Sequence, residues 1–88
     1  MVVTFGQWLK RRREALGIST QVDLRDRLKV AGLEVTKRAI SKWELDQAVP
    51  SKRSRDSLWR ALGVYGQTRT QLEMALDGWA QFPQQDAA

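Results

Sequence analysis

The segment Val35-Thr36-Lys37-Arg38-Ala39-Ile40-Ser41-Lys42-Trp43-Glu44 has the residue types and spacing best suited to chemistry at a surface. At helical spacing Ile40 and Trp43 share one face, while Lys37, Arg38, Ser41 and Lys42 lie on the outer one. Such a helix suits the major groove of duplex DNA. Arg and Lys can donate to the N7 and O6 acceptors of guanine, and a small Ser permits close approach. Thr36 is placed to cap the helix, whose N-terminus adds a partial positive charge near phosphates. An ordinary amphipathic helix with its cations in water shows the same pattern, so the segment alone does not choose between the two.

Composition removes most other chemistry. The 88 residues hold 15 Lys and Arg against 10 Asp and Glu, with no His and no Cys. A chain of that size builds one small domain. Lacking His and Cys, it has no disulfide scaffold, no thiolate or imidazole metal site, and no Ser-His or Cys-His nucleophile. Asp23, Asp26 and Glu34 lie scattered among Arg and Lys instead of clustering for a metal. No enzymatic activity and no cofactor are therefore expected. The charge is uneven: residues 1–64 carry 14 Lys and Arg against 7 Asp and Glu, and residues 65–88 carry Arg69 against Glu73, Asp77 and Asp86. A basic body of this kind points to a polyanionic partner. No apolar run approaches the roughly 20 residues that span a bilayer. Met1-Val2-Val3-Thr4 lacks the order of a signal peptide, so a cytoplasmic protein with no membrane partner is expected.

The pattern predicts an all-α chain of five short helices, with no persistent apolar/polar alternation to mark a strand. The first helix opens at Thr4, with Gln7 completing a capping box and Val3 placed to staple against Trp8; Gly17 ends it. The second starts at Ser19 or Thr20, turns Leu24, Leu28 and Ala31 inward and stops at Gly32. Thr36 opens the third. Pro50 keeps Leu45 to Pro50 out of helix. Ser51 caps the fourth, which carries Leu58, Trp59 and Leu62 and ends at Gly63. A fifth has two nested start signals, Thr68 with Gln71 and Thr70 with Glu73, and stops at Pro83. Its apolar face, Leu72, Leu76 and Trp79, either packs on the core or meets a second subunit. Residues 84–88 read as a frayed tail. Trp8, Trp43 and Trp59 lie on or beside apolar stripes and are expected in the core. On one helix Lys10-Arg11-Arg12-Arg13 point around most of the circumference, with Arg13 inward, Arg12 at the core edge and Lys10 and Arg11 outside.

From Phe5 to Val64 the chain resembles the phage-repressor/Cro-like (lambda repressor-like) helix-turn-helix family. The resemblance rests on several pieces in register. Phe5-Gly6-Gln7-Trp8-Leu9 through Arg13-Glu14-Ala15-Leu16-Gly17 is similar to the family's first helix, and Thr20-Gln21 through Leu28 to its second. Val35-Thr36 through Trp43-Glu44 is similar to its recognition helix, and Pro50-Ser51, Leu58 and Ala61-Leu62-Gly63-Val64 to its fourth helix and exit. The resemblance implies a helix-turn-helix domain over residues 1–66; past it, a C-terminal helix is expected over 67–83, packing on the core or forming a dimer contact. It also implies a sequence-specific transcriptional regulator, a repressor by expectation, of bacterial or phage origin.

Roles for individual residues follow from the same resemblance. Lys37, Arg38 and Lys42 fall at base-reading positions, with Ser41 between them, and Gln21 falls near a phosphate or a base edge. Arg13 and Glu44 occupy the positions of a partly buried ion pair that ties helix 1 to helix 3. The implied partner is double-stranded DNA, read at a pseudo-palindromic operator by a homodimer, with Leu72, Leu76 and Trp79 as its contact. Protein partners such as a toxin or RNA polymerase are compatible, and the alternative function is an antitoxin or protein-interaction module on the same fold.

Three features depart from the family pattern. The connection from Lys29 to Glu34 is unusually long for a helix-turn-helix, and one residue is added near Ile18-Ser19. Arg12, Lys52 and Arg55 are basic where the family often has apolar residues. Lys52, Arg53 and Arg55, with Thr36, could grip phosphates; otherwise the basic stems snorkel at a looser core edge. Finally, Leu45-Asp46-Gln47-Ala48 lacks the Gly that commonly follows the Trp-Glu pair.

Overall fold

Thr4, Thr20, Thr36 and Ser51 each stand in extended backbone immediately before a helix, and each side chain accepts a hydrogen bond from the backbone N–H three residues on. At Thr4 the Gln7 side chain returns the bond, completing the expected capping box. In a computed structural model that describes residues 4–78, these caps open α1 (Phe5–Ala15), α2 (Gln21–Val30), α3 (Lys37–Glu44) and α4 (Lys52–Ala61), and α5 (Gly66–Leu76) follows. There is no strand among the described residues. The expected all-α chain of five helices is thus present, folded into a body of 29 × 27 × 25 Å. Val3, Trp79, Phe82, Pro83 and the tail at 84–88 lie outside the described residues.

One core joins all five helices. Phe5, Trp8, Leu9, Ile18, Leu24, Leu28, Ile40, Trp43, Leu58, Trp59, Leu62, Val64 and Leu72 are buried in a single cluster. Trp8 meets Trp59 edge to face at 6.0 Å between ring centroids. All three expected core tryptophans are therefore in place. Ile18, which follows the C′ glycine Gly17, is also buried.

The fifth helix starts earlier than its nested cap signals imply. It begins at Gly66, behind Tyr65, which supplies no side-chain cap. Thr70 is inside the helix and donates its hydroxyl to the Gly66 carbonyl at 3.3 Å instead of capping. Packing sets this register. Leu72 is buried in the core, Arg69 pairs with Asp56 of α4 at 3.0 Å, and the Trp59 ring N–H donates to Glu73 at 2.6 Å. The helix therefore folds back on its own chain. Leu72 is buried in the core, and Leu76, half-buried, packs against the same cluster.

Two backbone features bring α1 and α3 together. A Cβ built on Gly6 would lie 2.3 Å from the Glu44 carbonyl oxygen, so only glycine allows α1 this close to the end of α3. Just beyond, Asp46 adopts a left-handed conformation at φ 59° and its carboxylate accepts the Gly6 N–H at 2.8 Å. Asp tolerates this conformation better than most residues, so it replaces the missing glycine and also satisfies an orphan N–H of α1.

The Gly6 contact involves backbone on both sides, so neither partner can rotate away. Gly6→Ala is expected to destabilise the fold by about 3 kcal/mol or more, the upper range for overpacking. Urea denaturation checks this; an unchanged midpoint would mean that α1 and α3 separate freely.

Candidate nucleic-acid interface

The third helix is gripped from behind by one buried ion pair. Arg13 Nε donates to Glu44 Oε2 at 2.8 Å and Nη2 to Oε1 at 3.3 Å, with both side chains about one-twentieth exposed. The remaining edge of the guanidinium donates to the Ile18 carbonyl at 3.0 Å. Gln21, at the head of α2, donates its amide to Glu44 Oε1 at 3.2 Å. Three helices therefore converge on one carboxylate. The expected Arg13–Glu44 pair is present. Gln21, expected near a phosphate or a base edge, is half-buried and its amide nitrogen joins this network.

Held this way, α3 turns a basic face outward. Ile40 and Trp43 are buried, Lys37, Arg38 and Lys42 are exposed, and Ser41 is half-buried between them. None of these three cations has an ion-pair partner among the described residues. Thr36 is exposed and its hydroxyl accepts the Ala39 N–H at 3.1 Å, so the helix begins where the sequence placed its cap.

The long connection before α3 is ordered by local bonds. Ala31 caps α2, Gly32 takes φ 95°, and the Leu33 N–H returns to the Leu28 carbonyl at 2.8 Å. Leu33 and Val35 then pack against the core. The extra length opens a cleft of about 430 Å³ beside the start of α3, lined by Arg25, Asp26, Lys29, Glu34, Val35 and Thr36.

The proposed phosphate contacts divide. Lys52 and Arg53, in the first turn of α4, are exposed and without an ion pair among the described residues. Arg55 is buried. It donates to the Pro50 carbonyl at 3.3 Å and pairs with both Glu73 and Asp77 at 3.3 Å, so it fastens α5 to α4 and reaches no external phosphate. Arg12 is likewise used internally, donating to the Leu62 and Gly63 carbonyls at 3.0 and 3.2 Å. It covers the C-terminal end of α4, where a cation complements both the unpaired carbonyls and the helix dipole. Arg60 does the same for α2 at the Ala31 carbonyl, 3.2 Å away. Sequence reasoning missed the buried role of Arg55 and the surface bond of Arg60, since carboxylates and carbonyls far along the chain create them.

Among the described residues no helix is long and apolar enough to cross a membrane, and no group of three or more Asp or Glu side chains could hold a metal ion. Comparison with protein-family models, with curated proteins and with solved structures finds no match for this chain.

Removing one partner of a buried pair leaves the other charge stranded, at a cost of about 3–5 kcal/mol, whereas replacing both by apolar residues is often neutral. Glu44→Leu should therefore destabilise strongly, and Arg13→Met with Glu44→Leu should recover much of the loss. Chemical denaturation of the single and double variants checks this; additive losses would show that the two side chains do not form a coupled pair.

Proposed function

We propose that this chain is a sequence-specific double-stranded DNA-binding transcriptional regulator, with α2 and α3 acting as a helix-turn-helix and α3 lying in the major groove. The observation that carries the reading is the outer face of α3. Lys37, Arg38 and Lys42 stand exposed and unpaired among the described residues, on a helix whose back is locked by Arg13, Glu44 and Gln21. A surface that reads base edges needs donors free of internal partners and a helix that does not roll. Arg38 and its neighbours supply the donors for guanine N7 and O6, while Ser41 permits close approach. Thr36, Lys52 and Arg53 are the phosphate contacts in this reading, and Arg55 is not one of them. The resemblance to phage-repressor/Cro-like proteins supports the same assignment, with two copies on a pseudo-palindromic operator, each taking one half-site. Regulation by occupying a promoter needs neither an enzymatic step nor a cofactor, and a cytoplasmic location accords with it.

A second reading has one observation in its favour. A mostly apolar groove of about 400 Å³ lies between the ends of α2 and α4, lined by Arg27, Val30, Ala31, Arg60 and Ala61. A protein-interaction module or antitoxin would use such a groove and leave the basic face incidental. Site selection from random duplexes separates the two, because only a DNA reader enriches a sequence.

Two measurements test the first reading. Lys37→Ala with Arg38→Ala should flatten the sequence preference, each good bidentate base contact being worth about 1–3 kcal/mol of discrimination. A wild-type protein equally blind to sequence would overturn the reading. With Lys52 and Arg53 of each copy neutralising roughly four phosphates per dimer, log K should fall with log salt at a slope of about −3.6, from about −0.9 per contact. A slope shallower than about −2 would show that the cations are not the binding surface.

A further inference from the structure

We infer that Leu45 is a further specificity-determining residue, reading the C5-methyl group of a thymine beyond the base pairs reached by Arg38 and Lys42. The inference rests on the DNA-reading proposal above. It starts from the direction in which α3 faces. Successive heptad positions on a straight helix differ by only about 20°, so Arg38 and Leu45 form one line along α3. That line lies opposite the buried pair Ile40 and Trp43, and Ser41 and Lys42 flank it on either side. The most outward line of the basic helix therefore ends in a leucine that is 63% exposed. Val30, Val49, Tyr65 and Met74 are also exposed, but none of them lies on α3 or at its C-cap.

The position is held, not frayed. Leu45 is the C-cap of α3, at φ −94° and ψ 6°, and its N–H donates to the Ser41 carbonyl at 3.0 Å. Asp46, next in the chain, is fastened to the Gly6 N–H, and the Gln47 N–H returns to the Lys42 carbonyl at 2.9 Å. With the backbone fixed, only the rotamers of the side chain itself remain to be ordered on contact. At about 1.5 Å of rise per residue, Leu45 stands about 10 Å along the axis from Arg38. That is about three base-pair steps. The only apolar feature on base edges in the major groove is the thymine methyl, and it is the one group there that a leucine can recognise.

The test replaces thymine by deoxyuridine, which removes only that methyl, at each thymine of the duplex that the wild-type protein selects from a random pool. One replacement should weaken wild-type binding by about fourfold, the value of one buried apolar carbon. The same replacement should leave Leu45→Ala unaffected, whereas Lys37→Ala should still lose the full factor. Leu45 is exposed, so the variant should keep the wild-type fold, checked by circular dichroism. If no deoxyuridine position weakens the wild type, or if Leu45→Ala loses the same factor as the wild type at every position, the thymine assignment is overturned while the DNA-reading proposal stands. If the wild type selects no sequence, the DNA-reading proposal fails and the assignment falls with it.

Discussion

The carboxylate of Glu44 is the point on which the arrangement of the first three helices depends. Moving a charged pair out of water costs several kcal/mol per ion, so a pair this buried persists only if every donor and acceptor is occupied. Here Arg13 divides its guanidinium between Glu44 and the Ile18 carbonyl, and Gln21 supplies a further donor to Glu44. No buried side-chain nitrogen or oxygen among the described residues lacks a partner. The pair contributes little net stability compared with apolar residues of similar volume. Its effect is positional: rolling α3 would strand two buried charges, so the outer face is fixed by what lies behind it.

Backbone contacts reinforce the same orientation. Gly6 sits against the Glu44 carbonyl where no side chain fits, and Asp46 closes the junction by accepting the Gly6 N–H from a left-handed backbone. Such a conformation costs roughly 1–2 kcal/mol for an L-residue, less for Asp; here the hydrogen bond it enables offsets that cost. The end of α3 is thus held by an ion pair, a close backbone contact and a side-chain cap within three residues.

Charge is sorted by the fold into two populations. Arg12, Arg13 and Arg55 serve the interior, on a helix end or in ion pairs, while Arg60 bonds the end of α2 from the surface. Lys37, Arg38, Lys42, Lys52 and Arg53 remain outside and have no ion pair among the described residues. The arginines do the internal work because a guanidinium presents several donors in a fixed fork and can satisfy a carboxylate and a carbonyl together. The basic excess of residues 1–64 therefore overstates the charge available to a polyanion. The acidic excess after residue 65 has an internal use too, since Glu73 and Asp77 receive Arg55.

The starts of α1 to α4, the three core tryptophans and the outward face of α3 were readable from residue order, because each depends on groups within one or two helical turns. A hydroxyl three residues before an N–H caps it wherever the helix lies, and an apolar stripe is buried by whatever covers it. The positions of Arg13 and Glu44 were also readable, through the family resemblance. Four assignments were not legible: Arg55 as a buried anchor, Gln21 as a donor to Glu44, Asp46 as a left-handed cap, and α5 as a core helix starting at Gly66 without a side-chain cap. Each is set by a partner 13 or more positions away or by the approach of two backbones. Residue type limits what a side chain can bond. Which partner lies within reach, and whether water is excluded there, follows only from how the helices pack.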